Sequence, residues 1–133
     1  MNHTDLKQMH ALLDAKYRVR QQAFQAVVNR ENALRADLEQ LDAQARAADK
    51  GSDGQMRAIG ADVIWKAWVG RTKTALNMKL ALILAEKEHY IRQVKQSYGK
   101  VLVSEDLLEN AKVVTRKAKQ EKGLSQAVTS SLF

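Results

Sequence analysis

From His3 to Ala48 a seven-residue repeat runs without a break, and no other feature limits the fold of this chain so strongly. With His3, His10, Tyr17, Phe24, Glu31, Leu38 and Ala45 at the a positions, the d positions are Leu6, Leu13, Arg20, Val27, Leu34, Leu41 and Ala48. Ten of these fourteen residues are apolar, and the positions between them are rich in Lys, Arg, Gln, Asp and Glu. That pattern makes one long amphipathic helix with a narrow apolar seam and a solvated back, as in a coiled coil. Asn2 or Thr4 can cap its start, and Asp5 lies near the positive end of the helix dipole.

The seam needs a partner, and the next segment supplies the means to bring one back. Asp49-Lys50-Gly51-Ser52-Asp53-Gly54-Gln55 carries two of the six glycines together with Ser and Asp, residues that end one helix and cap the next. Helix-forming residues then resume from Met56 to Lys122, with no proline anywhere in the 133 residues. A short turn between two long helices folds them antiparallel. The expected fold is therefore all-α: an elongated antiparallel two-helix coiled-coil hairpin forming one domain. Its parts are a helix over 3–48, a turn over 49–55, a longer helix over 56–122 and a loose tail over 123–133 beginning at Gly123. Gly60, Gly70 and Gly99 weaken the second helix locally, and a kink is expected near Gly60 or Gly70.

The second apolar stripe is less strict than the first. Trp65, Trp68, Thr72, Leu76, Leu80, Ile83, Tyr90 or Ile91, Val94, Tyr98, Val101, Leu108 and Ala111 step by three or four, with a drift in phase around Lys87 and Glu105. Seven of the eight residues from Met78 to Ala85 are apolar, more than one seam can bury, so a third surface should cover them. Pairing 46 residues of each helix leaves Val103 to Lys122 as an overhang with nothing of its own chain beside it.

Charge separates the two helices. Residues 3–48 carry seven Lys/Arg against six Asp/Glu, whereas residues 56–122 carry fourteen against seven, so nearly all of the net charge of +7 lies on the second helix. Lys112, Arg116, Lys117, Lys119 and Lys122 concentrate it at the projecting end, which calls for an acidic partner. Nucleic acid is the weaker choice, because no aromatic residues are interleaved to stack on bases and no helix-turn-helix or RNA-binding signature occurs. The longest apolar run is far too short for a membrane span, no secretory signal is visible, and the absence of Cys suits a reducing, cytoplasmic setting.

Chemistry-bearing constellations are sparse. His3 and His10 share the seam face without a carboxylate or Cys cluster, His89 stands outside any HExxH pattern, and no phosphate-binding glycine loop or nucleophile elbow occurs. No enzyme activity, cofactor, metal or small-molecule substrate is expected. Arg20 and Glu31 interrupt the first seam, where such residues fix register or meet an opposite charge on the facing helix. Trp65 and Trp68 either pack at the hairpin tip or serve as interface anchors.

The whole plan resembles the small stalk proteins of flagellar and virulence type III export, the FliJ and YscO families. The heptad-bearing first helix, polar turn and longer basic second helix carry the likeness. Trp65-Lys66-Ala67-Trp68-Val69 is similar to the aromatic, two residues, aromatic, aliphatic opening of the second helix in flagellar members. The resemblance implies a non-enzymatic hairpin like the central coiled coil of a rotary ATPase. Its terminal coil would enter the export ATPase hexamer and promote its assembly and activity, with other surfaces binding export chaperones and the export gate. Trp65, Trp68, Val69, Thr72 and Ala75 would belong to the gate- or chaperone-contacting stripe, with Thr72 standing where an aliphatic residue is usual. Such a protein is cytoplasmic, peripheral at the membrane-associated export apparatus. Charge and overhang, rather than a transferred motif, set Lys112, Arg116, Lys117 and Lys119 against acidic residues of the ATPase pore. Two alternatives stand beside this reading: a structural coiled-coil adaptor whose Met78 to Ala85 patch forms a homodimeric helical bundle, and a basic nucleic-acid-associated helical protein.

Overall fold

The computed structural model describes residues 2–51 and 60–132. The chain is a helical hairpin of α1, His3–Gly51, and the longer α2, Ala61–Leu132. Asn2 rather than Thr4 caps α1: its side-chain oxygen accepts the Asp5 N–H at 2.8 Å, satisfying one of the donors that a helix start leaves free. At the opening of α2, Gly60 has φ 75°, and its carbonyl accepts the N–H groups of Val63 and Ile64. A side chain would strain this left-handed residue, so glycine suits the entry to α2. The expected turn at 49–55 begins later than the sequence suggested, since 49–51 continue α1; the rest of it, and the expected helix start at Met56, lie outside the described residues.

Contacts divide the chain into two units: residues up to Gln21 with those from Gln93 onward, and Gln22–Arg92. In Gln22–Arg92 the helices run antiparallel, tied by Arg30–Glu86 at 2.8 Å, Glu31–Lys87 at 2.7 Å and Asp42–Lys73 at 3.0 Å. In the other unit, Arg20 donates to Gln93 at 2.8 Å, Tyr17 lies against Tyr98 with centroids 5.4 Å apart, and His10 meets Ser104 at 2.7 Å. These pairs are again antiparallel.

The α1 heptads are where the sequence placed them: every a and d position except Arg20 is partly or fully buried. In Gln22–Arg92, Val27 and Leu41 of α1 and Leu80 and Ile83 of α2 are buried, and in the other unit Leu6 and Val101 are. Burying each such side chain is worth roughly 1.5–3 kcal/mol. The α2 seam differs from its expected course. It runs through Trp65, Val69, Thr72, Leu76, Leu80, Ile83, Lys87, Tyr90, Val94, Ser97, Val101, Ser104, Leu108 and Ala111, all partly or fully buried. Spacings of three and four alternate along it, with one pair of consecutive fours at Thr72-Leu76-Leu80, a local unwinding of the heptad phase. The drift at Lys87 was therefore only apparent, because polar residues occupy seam positions there. Trp68 and Tyr98, expected on the seam, are 45% and 47% exposed.

The projecting end is also displaced. Ser104 is 1% exposed and Leu108 and Ala111 are partly covered, whereas every residue from 114 to 132 is exposed. The overhang is thus 114–132 and not 103–122. With α1 continuing to Gly51 and α2 opening only at Ala61, α1 reaches further along α2 than a turn at 49–55 would allow. Gly123 does not end the helix either. A glycine stop needs the left-handed conformation, which only Gly60 adopts among the described residues, and α2 passes through Gly123 to Leu132. Gly70 and Gly99 are likewise inside α2.

Candidate docking surfaces

Two polar layers in the seam set the register from which every surface residue takes its place. Glu31 is 6% exposed and bonds both Lys87 at 2.7 Å and Arg35 at 2.8 Å. The Lys87 hydrogen bond, then that of Arg35, holds the Glu31 carboxyl below its ordinary value against the opposing effect of burial. Ser104 donates to the Val101 carbonyl at 2.7 Å, so it must accept from His10, which places the imidazole proton on Nδ1. Sliding either helix by one position would strip these buried groups of their partners. The sequence marked Glu31 as an interruption but gave no sign that Lys87 and Ser104 would face the seam.

Of the five residues assigned to a gate- or chaperone-contacting stripe, the structure splits three from two. Trp65, Val69 and Thr72 lie on the side of α2 turned to α1, while Trp68 and Ala75 are exposed. The two indoles still touch, stacked with centroids 5.2 Å apart. Trp68 and Ala75 belong to another line, Ile64, Trp68, Arg71, Ala75, Met78, Leu82, Ala85 and His89, which lies about 120° around the helix from the seam. All eight are exposed, and their spacing alternates four and three without a break. Ile64, Met78 and Leu82 are 71%, 66% and 69% exposed. Leu80 and Ile83 are buried, so the Met78 to Ala85 run is shared between two faces, as its excess of apolar residues implied. Beside Leu82 lies an open apolar groove of about 370 Å³ lined by Arg30, Ala33, Leu34, Lys79, Leu82, Ile83 and Glu86. The even spacing of the second line was legible in the sequence; what hid it was that two apolar lines one residue out of phase read as one irregular stripe.

The second candidate surface is basic. Lys112, Arg116 and Lys119 lie at i, i+4 and i+7 on one face of α2, and Lys117 projects about 100° away. All four are exposed. Arg116 approaches Glu109 at 3.8 Å with both side chains more than 60% exposed, a contact too solvated to neutralise it. His3, Glu109, Lys112, Thr115 and Arg116 line a cleft where α1 begins. Beyond that point α2 is amphipathic in a way the expected loose tail did not suggest: Val114, Leu124, Val128 and Leu132, each more than half exposed, share the face away from Lys112, Arg116 and Lys119.

Among the described residues no group of three or more His, Asp or Glu side chains could hold a metal ion, and no helix is long and apolar enough to cross a membrane. His3 lines the cleft at the overhang while His10 bonds Ser104, so the two are engaged separately. A scan against protein-family models and searches of curated proteins and of solved structures found no match to this chain.

Proposed function

We propose that this chain is the non-enzymatic central stalk of a flagellar-type (type III) protein export ATPase complex. In that role its terminal coil enters the ATPase ring, and its outer stripe binds an export chaperone or the export gate. The observation that carries the reading is the exposed overhang 114–132 with the basic face of Lys112, Arg116 and Lys119 at its root. Nothing among the described residues packs on this stretch, so its helicity rests on propensity and on continuity with the packed part of α2 rather than on a buried face. Its uncompensated charge suits a ring lined with acidic residues. Docking of chaperone or gate falls to Trp68 and Ala75 together with Met78 and Leu82, because Trp65, Val69 and Thr72 are turned inward. The protein would work in the cytoplasm at the membrane-associated export apparatus.

Replacing Lys112, Arg116, Lys117 and Lys119 by Glu should weaken binding to the export ATPase by at least tenfold at physiological salt. It should also flatten the salt dependence of what remains, while circular dichroism shows the hairpin intact. Unchanged binding would remove the ring contact from these residues. The reading as a homodimeric coiled-coil adaptor keeps a place because of the outer stripe, whose unbroken heptad spacing suits a helix as partner.

A further inference from the structure

The outer stripe of α2 has an internal symmetry that bears on how it is kept in water. Turned end for end about its midpoint between residues 76 and 77, the line Ile64, Trp68, Arg71, Ala75, Met78, Leu82, Ala85, His89 meets itself. Trp68 falls opposite Ala85, Ala75 opposite Met78, Arg71 opposite Leu82 and Ile64 opposite His89. The largest side chain meets one of the smallest, and the flexible thioether meets the other. We propose that in the free protein this stripe is closed by the same stripe of a second copy, packed antiparallel about a two-fold axis at residues 76 and 77. This inference rests on the outer stripe being the docking face, and it adds a state in which that face is withheld from its partner.

Three observations support the second copy as occupant. The spacing is the 3.5-residue repeat that knobs-into-holes packing requires, and it holds over all eight positions. The flanks raise no like-charge clash: in this register Glu88 lies beside Ala67, Arg92 beside Val63, and Lys79 beside Thr72 of the other copy. The area suffices for a reversible dimer. Taking about 100 Å² for a fully exposed aliphatic side chain and roughly 200 Å² for an indole, the exposed fractions of Ile64, Trp68, Met78 and Leu82 leave about 300 Å² per chain. With Val63 at 66% exposed, Ala75, Ala85 and the Arg71 stem added, two copies reach about 1,000 Å², the lower limit of a specific interface. Such an interface is dissociable, with Kd on the order of micromolar, so a partner can compete for it.

Sedimentation equilibrium from about 1 to 300 µM tests this directly. The mass should rise from one chain of 14.9 kDa toward twice that value with concentration. Trp68→Glu should weaken the association at least tenfold while helicity stays unchanged, because the site is exposed. Ala75→Met alone sets Met against Met at the centre and should also weaken it about tenfold. The double variant Ala75→Met with Met78→Ala restores a large-to-small pairing and should return affinity to within threefold of the parent. A mass of one chain across the whole range, or a double variant no better than Ala75→Met, overturns the proposal. Docking of a chaperone or gate is read separately, as binding at concentrations where the chain is monomeric, so loss of the dimer leaves that function standing and loss of docking leaves the dimer.

Discussion

Residues 61–111 and 114–132 belong to the same helix, yet they are held by different forces. The first stretch buries Leu80, Ile83, Val101 and Ser104 against α1, with ion pairs at Lys73 and Lys87 fixing its register. The second has the same kind of helix-forming residues and no buried side chain among those described. Helical stability in proteins comes mainly from tertiary packing of one face and only weakly from propensity. The contrast therefore separates a stretch that α1 packs against from one that nothing among the described residues covers.

A matched pair of substitutions gives the sharpest test of that division. Leu80 is 9% exposed and Leu124 is 69% exposed. Leu80→Ala should cost about 2–4 kcal/mol, the range for removing a packed leucine and leaving a partial cavity. Leu124→Ala should fall within about 0.5 kcal/mol of the parent, as surface substitutions do. Denaturant unfolding followed at 222 nm measures both. Equal costs would mean that the overhang is packed in the free protein and that the two regions are not different in kind.

A smaller effect comes from the Glu31 layer, and it depends on pH. Its carboxyl is held below the ordinary value of 4.5 in the folded chain, with the Lys87 bond as the first cause and the Arg35 bond as the second. A depressed carboxylate stabilises the fold above its unfolded pKa, and that contribution is lost as pH falls through the lower folded-state value. The unfolding midpoint should therefore be insensitive to this group near neutral pH and decline below about pH 4.5. Lys87→Met removes the largest cause and should make the acid decline shallower, leaving Arg35 to supply the remainder. If parent and variant lose stability in parallel through this range, another carboxylate governs the acid limb.

How much of this could be read from the sequence follows from the same contrast. The α1 seam was legible almost residue by residue, because its apolar positions repeat with nothing competing for the phase. In α2 the outer stripe and the seam are both mostly apolar between Ile64 and Ala85, and a single stripe drawn through them took Trp68 from one and Trp65 from the other. Lys87 and Ser104 could not be assigned from pattern, since a half-exposed lysine or a buried serine on the seam is favourable only when Glu31 or His10 stands opposite. The overhang was foreseen with its charge but misplaced. In an antiparallel hairpin, moving the turn by one residue shifts every facing pair by two, so a displacement of a few residues at the turn moves the start of the overhang by twice as many.

The smallest expected effect bears on the overhang alone. Gly123 sits inside α2 with open space where a Cβ would project, and it lacks the positive φ that a helix stop requires. Gly in a helix interior costs about 1 kcal/mol relative to Ala, mostly through the freedom it keeps in the unfolded chain. Gly123→Ala should therefore raise mean residue ellipticity by lengthening the time the overhang spends helical. It should leave the unfolding midpoint of the paired hairpin unchanged, since no buried contact reaches this turn. A rise in the midpoint would couple residues 114–132 to the core, whereas a fall in ellipticity would restore Gly123 as the left-handed stop its sequence position suggests. If the overhang enters the ring of an export ATPase as proposed, and folds fully only there, the same substitution should tighten that binding by up to about fivefold, because less ordering remains to be done on association.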